Sequence, residues 1–316
     1  PGHKKTHSGT NMNKVIRIAT RKSALALWQA NHVKSLLREA HPDIGIELVK
    51  SVTEGDRILD RPLSEIGGKG LFLKELERAM LNGQADLAVH SMKDVPANMA
   101  EGLVLDAVLP RANPYDALVS RDGRLLAELP AGSKIGTSSL RRKSQLLALR
   151  PDLVVTDLRG NVDTRLRKLD EGQYDAVILA CAGLQRLGLG GRITETLKPP
   201  DWLPASTQGI IGLQCRLGDA RTLSLIQPLA DSDTMVVASA ERAVAQVLEA
   251  TCQVPLAVHA VLVNGIVTLK SIISTPDGKQ TVKAEGQAPA AGAVDLGKNV
   301  AASLLSSGAG DIMRSL

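Results

Sequence analysis

Aromatic residues are nearly missing from this chain of 316 residues, which has one phenylalanine, two tyrosines and two tryptophans. A core must therefore be filled by Leu, Val, Ile and Ala. The same shortage argues against holding single-stranded nucleic acid by stacking bases on aromatic platforms. Cysteine is scarce too. Cys181, Cys215 and Cys252 are too few and too scattered for a disulfide framework, and no CxxC pair suggests zinc. A reducing compartment is the simpler expectation. The six histidines show no metal spacing, so no metal is expected. Long apolar runs are also lacking: 177–184 falls far short of the roughly 20 residues needed to span a bilayer. The opening 1–13 has no apolar stretch of the kind a secretory signal needs. Residues 1–12 are expected to be a disordered leader or tag remnant, with Met12 as the native start.

What is present suits two or three domains with real cores: 44% of residues are hydrophobic and 22% charged. The net charge of +5 is local. Residues 13–108 are neutral, 109–204 carry +4, 205–316 carry −1, and the stretch 141–168 alone carries +5.

Short β-branched runs alternate with helical patterns as far as Leu203, which predicts βαβ units and a parallel sheet covered on both faces. Strands are expected at Val15–Ala19, Ile46–Val52, Asp86–His90, Leu103–Val108, Ala117–Ser120, Lys134–Gly136, Leu153–Asp157 and Asp175–Leu179. Helices are expected near Ser23–Ala40, Gly70–Leu81, Ser139–Leu149 and Val162–Asp170, the third stopped by Pro151. That is too many strands for one ordinary sheet. Pro110–Asp116, with two prolines, reads as a hinge between two similar α/β domains, and a second break falls at Lys198–Pro204. Beyond it come a helix near Asp233–Glu249, strands Val254–Val263, Ile266–Ser274 and Gln280–Ala284, and a helical stretch from Gly292. Asn264-Gly265 and Asp277-Gly278 are hairpin signals, so this third unit reads as antiparallel α+β.

In open α/β sheets ligands bind beyond the carboxyl ends of the strands. Four polar clusters fall there: Thr20-Arg21-Lys22-Ser23, Ser91-Met92-Lys93-Asp94, Gly136-Thr137-Ser138-Ser139-Leu140-Arg141-Arg142 and Arg159-Gly160-Asn161-Val162-Asp163-Thr164-Arg165. Helix N-termini attract anions, and arginine adds a fork suited to carboxylate or phosphate. One basic pair is usually solvated surface, but four clusters at equivalent positions describe a cleft for a polyanion. Asp94, the acid of the second cluster, is either a proton shuttle and stabiliser of a cation or a salt-bridge partner that keeps arginines in place. Cys252, between a helix and a strand, is either a nucleophile or attachment point or a small buried hydrophobe. Gly67-Gly68-Lys69-Gly70 lacks the GxxxxGK[ST] spacing of a nucleotide loop, and residues 53–69 read as a lid over the cleft.

Seven segments in order resemble the porphobilinogen deaminase family, also called hydroxymethylbilane synthases: Arg17–Trp28, Gly67–Leu76, Asp86–Pro96, Gly136–Arg142, Leu158–Arg165, Tyr174–Leu187 and Thr251–Pro255. The resemblance implies two periplasmic-binding-protein-like doubly wound α/β domains around a cleft, plus a third α+β domain with a small antiparallel sheet. The division becomes 13–110 with 205–230, then 111–204, then 231–316. It implies a dipyrromethane cofactor in thioether linkage to Cys252. Four porphobilinogen units are then added, each losing ammonia, before hydroxymethylbilane is released by hydrolysis. Asp94 matches the catalytic carboxylate. Arg21, Ser23, Lys93, Ser138, Arg141, Arg142, Arg159, Arg165 and Arg186 match positions that hold cofactor and substrate carboxylates, and Lys69, Phe72 and Gln208 match further cleft positions. Ser91, Thr137, Ser139 and Gly160 fall within the matched clusters. The expected setting is a cytoplasmic monomer acting on porphobilinogen and the growing polypyrrole chain, with no nucleic-acid or membrane partner.

The chain departs from the family at three places: Glu54 where many relatives are basic, Ser206-Thr207 in place of Val-Gly before Gln208, and Ala250-Thr251 in place of Gly-Gly before Cys252. Where those glycines have positive φ, the replacements carry strain of about 1 kcal/mol or more. Two other readings remain: a non-catalytic anion-binding module, which the fold alone permits, and nucleic-acid binding through 141–168, which predicts strongly salt-dependent affinity.

Overall fold

The structure, a computed structural model, describes residues 15–51, 73–96, 98–250 and 253–316. The expected leader 1–12, the expected lid 53–69 with Glu54, and Lys69, Phe72, Thr251 and Cys252 lie outside the described residues.

The chain opens with β1 (Val15–Arg21), α1 (Ala24–Ala40) and β2 (Gly45–Ser51). Ser23 caps α1 by accepting from the Ala26 N–H at 3.4 Å, and the helix ends at His41, ahead of Pro42. Gln29, Ala30, Val33 and Leu37 form its buried face. After α2 (Lys74–Leu81) come β3 (Leu87–Ser91) and β4 (Leu103–Val108). The second set comprises β5 (Asp116–Ser120), β6 (Lys134–Gly136), α3 (Leu140–Leu149), β7 (Val154–Thr156), α4 (Val162–Asp170), β8 (Ala176–Ala180), α5 (Cys181–Arg186) and β9 (Glu195–Leu197). The chain then returns through β10 (Ile211–Arg216) and α6 (Ala220–Ile226). The rest is α7 (Ser232–Val247), β11 (Leu256–Val263), β12 (Ile266–Ser274), β13 (Thr281–Pro289), α8 (Ala293–Leu304) and α9 (Gly310–Arg314).

Three sheets result, ordered β2-β1-β3-β10-β4, β7-β6-β8-β5-β9 and β11-β12-β13. The first two share one plan, and neither is purely parallel as the sequence suggested. β10 runs antiparallel to β3 and β4, and β5 runs antiparallel to β8 and β9. Each reversed strand is the first one after the chain crosses from one sheet to the other. Strand direction was illegible because a strand buried on both faces, such as β5 with all five residues buried, has the same apolar composition in either direction.

Both faces of the first sheet are covered: Val33, Leu37 and Leu225 pack on one side, and Leu76 and Met80 on the other. The second sheet is likewise lined by separate apolar clusters around Leu166 with Leu184 and around Leu146 with Trp202. In the third sheet, Asn264-Gly265 turns β11 into β12 with φ of +51° and +77°, the two-residue hairpin conformation. α7 and α8 pack on this sheet through Val244, Leu269 and Val300.

The two crossings between sheets lie side by side. Leu109 N–H donates to Ile211 O at 2.9 Å, Ala112 N–H to Gly209 O at 3.1 Å, and the Gln208 amide to Pro114 O at 2.7 Å. Gly209 must be glycine: its φ is +89°, and a Cβ would sit 2.6 Å from Ala112 O.

Candidate active site

The catalytic candidates of the first sheet stand where β1 and β3 end. Met92 N–H donates to Ile210 O at 3.0 Å as β3 passes into a short 3-10 turn, Met92–Asp94. Met92 is buried beneath Gly212, where a Cβ would come within 2.3 Å of its sulfur. Lys93 and Asp94, the next two residues, are half-buried. A cavity of about 90 Å³, open to solvent, is lined by Arg21, Ser23, Gln29, His90, Ser91 and Asp94 together with apolar residues of α1, α2 and β3. Gln29 donates to Ser91 Oγ at 2.8 Å and so ties α1 to the end of β3.

On the second sheet, Ser139 caps α3, and Thr137 Oγ1 accepts from the Ser139 N–H at 3.2 Å. Ser138 Oγ donates to Leu158 O at 3.1 Å and accepts from the Leu158 N–H at 3.0 Å, which joins the third polar cluster to the fourth. Arg165 Nε donates to Gly160 O at 2.7 Å, with Gly160 at φ +106°.

Arg141 and Arg142 are placed differently from a pair of open forks. Both are 6% exposed and bind Asp116: Arg141 Nη1 at 2.7 Å to Oδ2, Arg142 Nε and Nη2 at 3.1 and 2.7 Å to Oδ1. Their remaining bonds go to Leu203 O and Ile178 O. Asp116 also accepts from Trp202 Nε1 at 2.8 Å and from the Gln208 amide at 3.0 Å. The two guanidinium groups hold its carboxyl far below the ordinary range against the cost of burial. Sequence reading missed Asp116, although an acid opening a fully buried strand is itself a signal.

Charge from three clusters meets at Lys93 and Asp94. Burial pushes the Lys93 ammonium down to about 8; Asp94 and Asp116 oppose the shift, while Arg142 and Arg141 add to it. Burial pushes Arg165 down to about 10, assisted by Arg142 and Arg159 and opposed by Asp94. Asp94 therefore acts electrostatically on groups of both sheets, and through the cavity it also shares a wall with Arg21 of the first cluster. Lys93 Nζ lies 3.3 Å from Gln208 Oε1, so Gln208 links the site to the crossing. Arg186 stands apart from this centre. Its Nη2 donates to Gly209 O at 2.8 Å, its guanidinium lies 5.8 Å from the centre of the Trp28 ring, and burial pushes its pKa down to about 10.

Two family models match the chain: "porphobilinogen deaminase, dipyromethane cofactor binding domain" over residues 16–224, and "porphobilinogen deaminase, C-terminal domain" over residues 235–306. The chain belongs to the porphobilinogen deaminase family. Its activity is that of a hydroxymethylbilane synthase, a transferase of tetrapyrrole biosynthesis, and its cofactor is dipyrromethane. Solved structures of similar shape include the BvgS VFT2 domain of Bordetella pertussis, at 18% identity over 67% of this chain and 84% of that one, with a TM-score of 0.42. The periplasmic aliphatic sulphonate binding protein SsuA of Escherichia coli is 17% identical over 75% and 71%, with a TM-score of 0.40. A YaeC-family lipoprotein of Enterococcus faecalis is 14% identical over 68% and 90%, with a TM-score of 0.40.

The described residues suit the family's cofactor. A dipyrromethane carries several carboxylates, and the cleft gathers Arg21, Lys93, Arg159 and Arg165 near Asp94. Lys93 and Arg165 are destabilised as cations by burial and by neighbouring arginines, a cost that bound carboxylates would offset.

The departures from the family pattern now have a geometry. Thr207, in place of glycine, has φ +59°. A β-branched residue in that region is an outlier, and the expected strain is present. Its N–H donates to Glu241 of α7 at 2.5 Å. Before Cys252 the positive φ, +47°, falls on Glu249 rather than on Ala250.

Proposed function

We propose that the cleft around Asp94 is where this family member assembles its tetrapyrrole, and that the convergence of charged groups from both sheets on Lys93 and Asp94 is the observation that carries this reading. Arg21, Ser23, Ser91, Lys93, Arg159, Gly160 and Arg165 receive substrate and cofactor carboxylates. Lys69 and Phe72 join this set on sequence grounds, and Cys252 is the attachment point. When bound, the dipyrromethane supplies the nucleophilic pyrrole carbon that begins the chain.

The protein's own part is electrostatic and protonic. Asp94 is the negative group that stabilises positive charge on the substrate as the C–N bond breaks and ammonia leaves with its electron pair. It is also placed to accept the proton lost when the new carbon–carbon bond is complete. Lys93 and Arg165, flanking Asp94, hold the ring carboxylates so that the reacting carbons meet in register. Arg141 and Arg142 act in this reading through Asp116: they fix the N-terminus of α3 and add to the positive field that Lys93 experiences. Thr137, Ser138 and Ser139 shape the turn, and Arg186 and Gln208 hold the crossing against the site.

We further assign residues 13–110 with 205–230, 111–204 and 231–316 to three domains, and the protein to a cytoplasmic monomer. Among the described residues no helix is long and apolar enough to cross a membrane. The test is Asp94→Ala, assayed for porphobilinogen consumption by pre-formed holoenzyme. Turnover should fall by several orders of magnitude while the thermal midpoint stays within a few degrees of the parent. Near-normal turnover would remove Asp94 from this role.

A further inference from the structure

His90 is a buried side chain that neither the motif reading nor the mechanism uses. It sits on β3, is 6% exposed, and lines the same cavity as Asp94. Its Nε2 lies 2.7 Å from Gln214 Oε1 on β10. The Gln214 amide nitrogen in turn donates to Glu77 Oε1 of α2 at 3.1 Å. A carboxylate only accepts, so Glu77 fixes which end of the Gln214 amide faces it. The amide oxygen then faces His90, Nε2 must carry the proton, and the lone pair is left on Nδ1 of a ring that lines the cavity. Burial pushes the ring down to about 4, opposed by the Gln214 bond and by Asp94, so the imidazole is neutral at neutral pH.

We propose that His90 contacts substrate: its Nδ1 is a pre-oriented, neutral hydrogen-bond acceptor for the N–H of a pyrrole ring bound beside Asp94, and Gln214 with Glu77 are the positioning residues that set its tautomer. A neutral acceptor suits a neutral donor such as the N–H of an unreacting pyrrole ring. This rests on the reading of the cleft as the porphobilinogen site.

The test compares His90→Gln and His90→Asn in holoenzyme assayed with porphobilinogen. A glutamine reaches the position of Nε2, an asparagine that of Nδ1. H90Q, which can keep the Gln214 contact, should lose roughly tenfold or more in kcat/KM, and H90N should retain more activity than H90Q. Nitrogen NMR of histidine-labelled parent holoenzyme should show His90 Nδ1 unprotonated and shifted when porphobilinogen is added, a readout that stands even where a variant fails to fold. A protonated Nδ1, or H90Q with parental kcat/KM, overturns the proposal alone. A parent holoenzyme that does not consume porphobilinogen overturns the functional reading with it.

Discussion

Lys93 sits at an unusual balance for a lysine. Burial lowers its pKa to about 8 despite Asp94 beside it, so its charge is intact below pH 8 and is lost as pH rises through that value. A bound carboxylate favours the charged form, so above pH 8 substrate binding must be accompanied by uptake of a proton. The KM for porphobilinogen should therefore rise above pH 8 in the parent, and Lys93→Arg should flatten that rise because a guanidinium stays charged. An unchanged pH profile in K93R would show that Lys93 does not meet substrate carboxylates. Asp94 and Lys93 were legible in the sequence because they are adjacent and follow an obvious strand. His90 was passed over because its partner Gln214 lies 124 residues away, and no local pattern announces such a pairing.

At the scale of elements, the N-terminus of α3 is held by charge rather than by apolar packing. Asp116 opens β5 and receives both Arg141 and Arg142, all three nearly or fully buried. Asp116→Asn would leave two buried guanidinium groups facing a neutral amide. Breaking a buried pair on one side costs about 3–5 kcal/mol, so the variant should show a correspondingly lower urea midpoint. A loss under 1 kcal/mol would mean that water reaches these arginines. Some element boundaries were readable and others were not: β13 runs on to Pro289, five residues past its expected end at Ala284. β4, β6, β12 and α4 fall where the sequence placed them, since caps, prolines and β-branched runs are local signals. β9, β10, α5 and α6 were not foreseen. β10 carries Gly212 and Gln214 in its interior, a strand pattern only its buried neighbours justify, while α5 and α6 are too short to show a clear 3.6-residue period.

The molecule as a whole is joined at the paired crossings, and α7 clamps them. Glu241 of α7 accepts from Arg111 at 2.6 Å on one crossing and from the Thr207 N–H on the other, and it also takes the Ala260 N–H of β11. The strain at Thr207 is thus stored at a place where groups of all three sheet units are tied together. Thr207→Gly should relieve it and raise stability by about 1 kcal/mol in urea unfolding, whereas a loss would mean that the Thr207 Oγ1 bond to Ser206 O outweighs the backbone strain. Charge that looked dispersed along 141–168 is divided by the fold: part locks α3 in place, and part faces Asp94 across the cleft. In the proposed function this cleft works on a covalently held polycarboxylate chain anchored at Cys252. Intact mass tests it most directly. Protein from a host that makes porphobilinogen should be heavier than its sequence by one dipyrromethane, and Cys252→Ala should have the bare mass. An unmodified parent, or an added mass that survives C252A, would contradict the account.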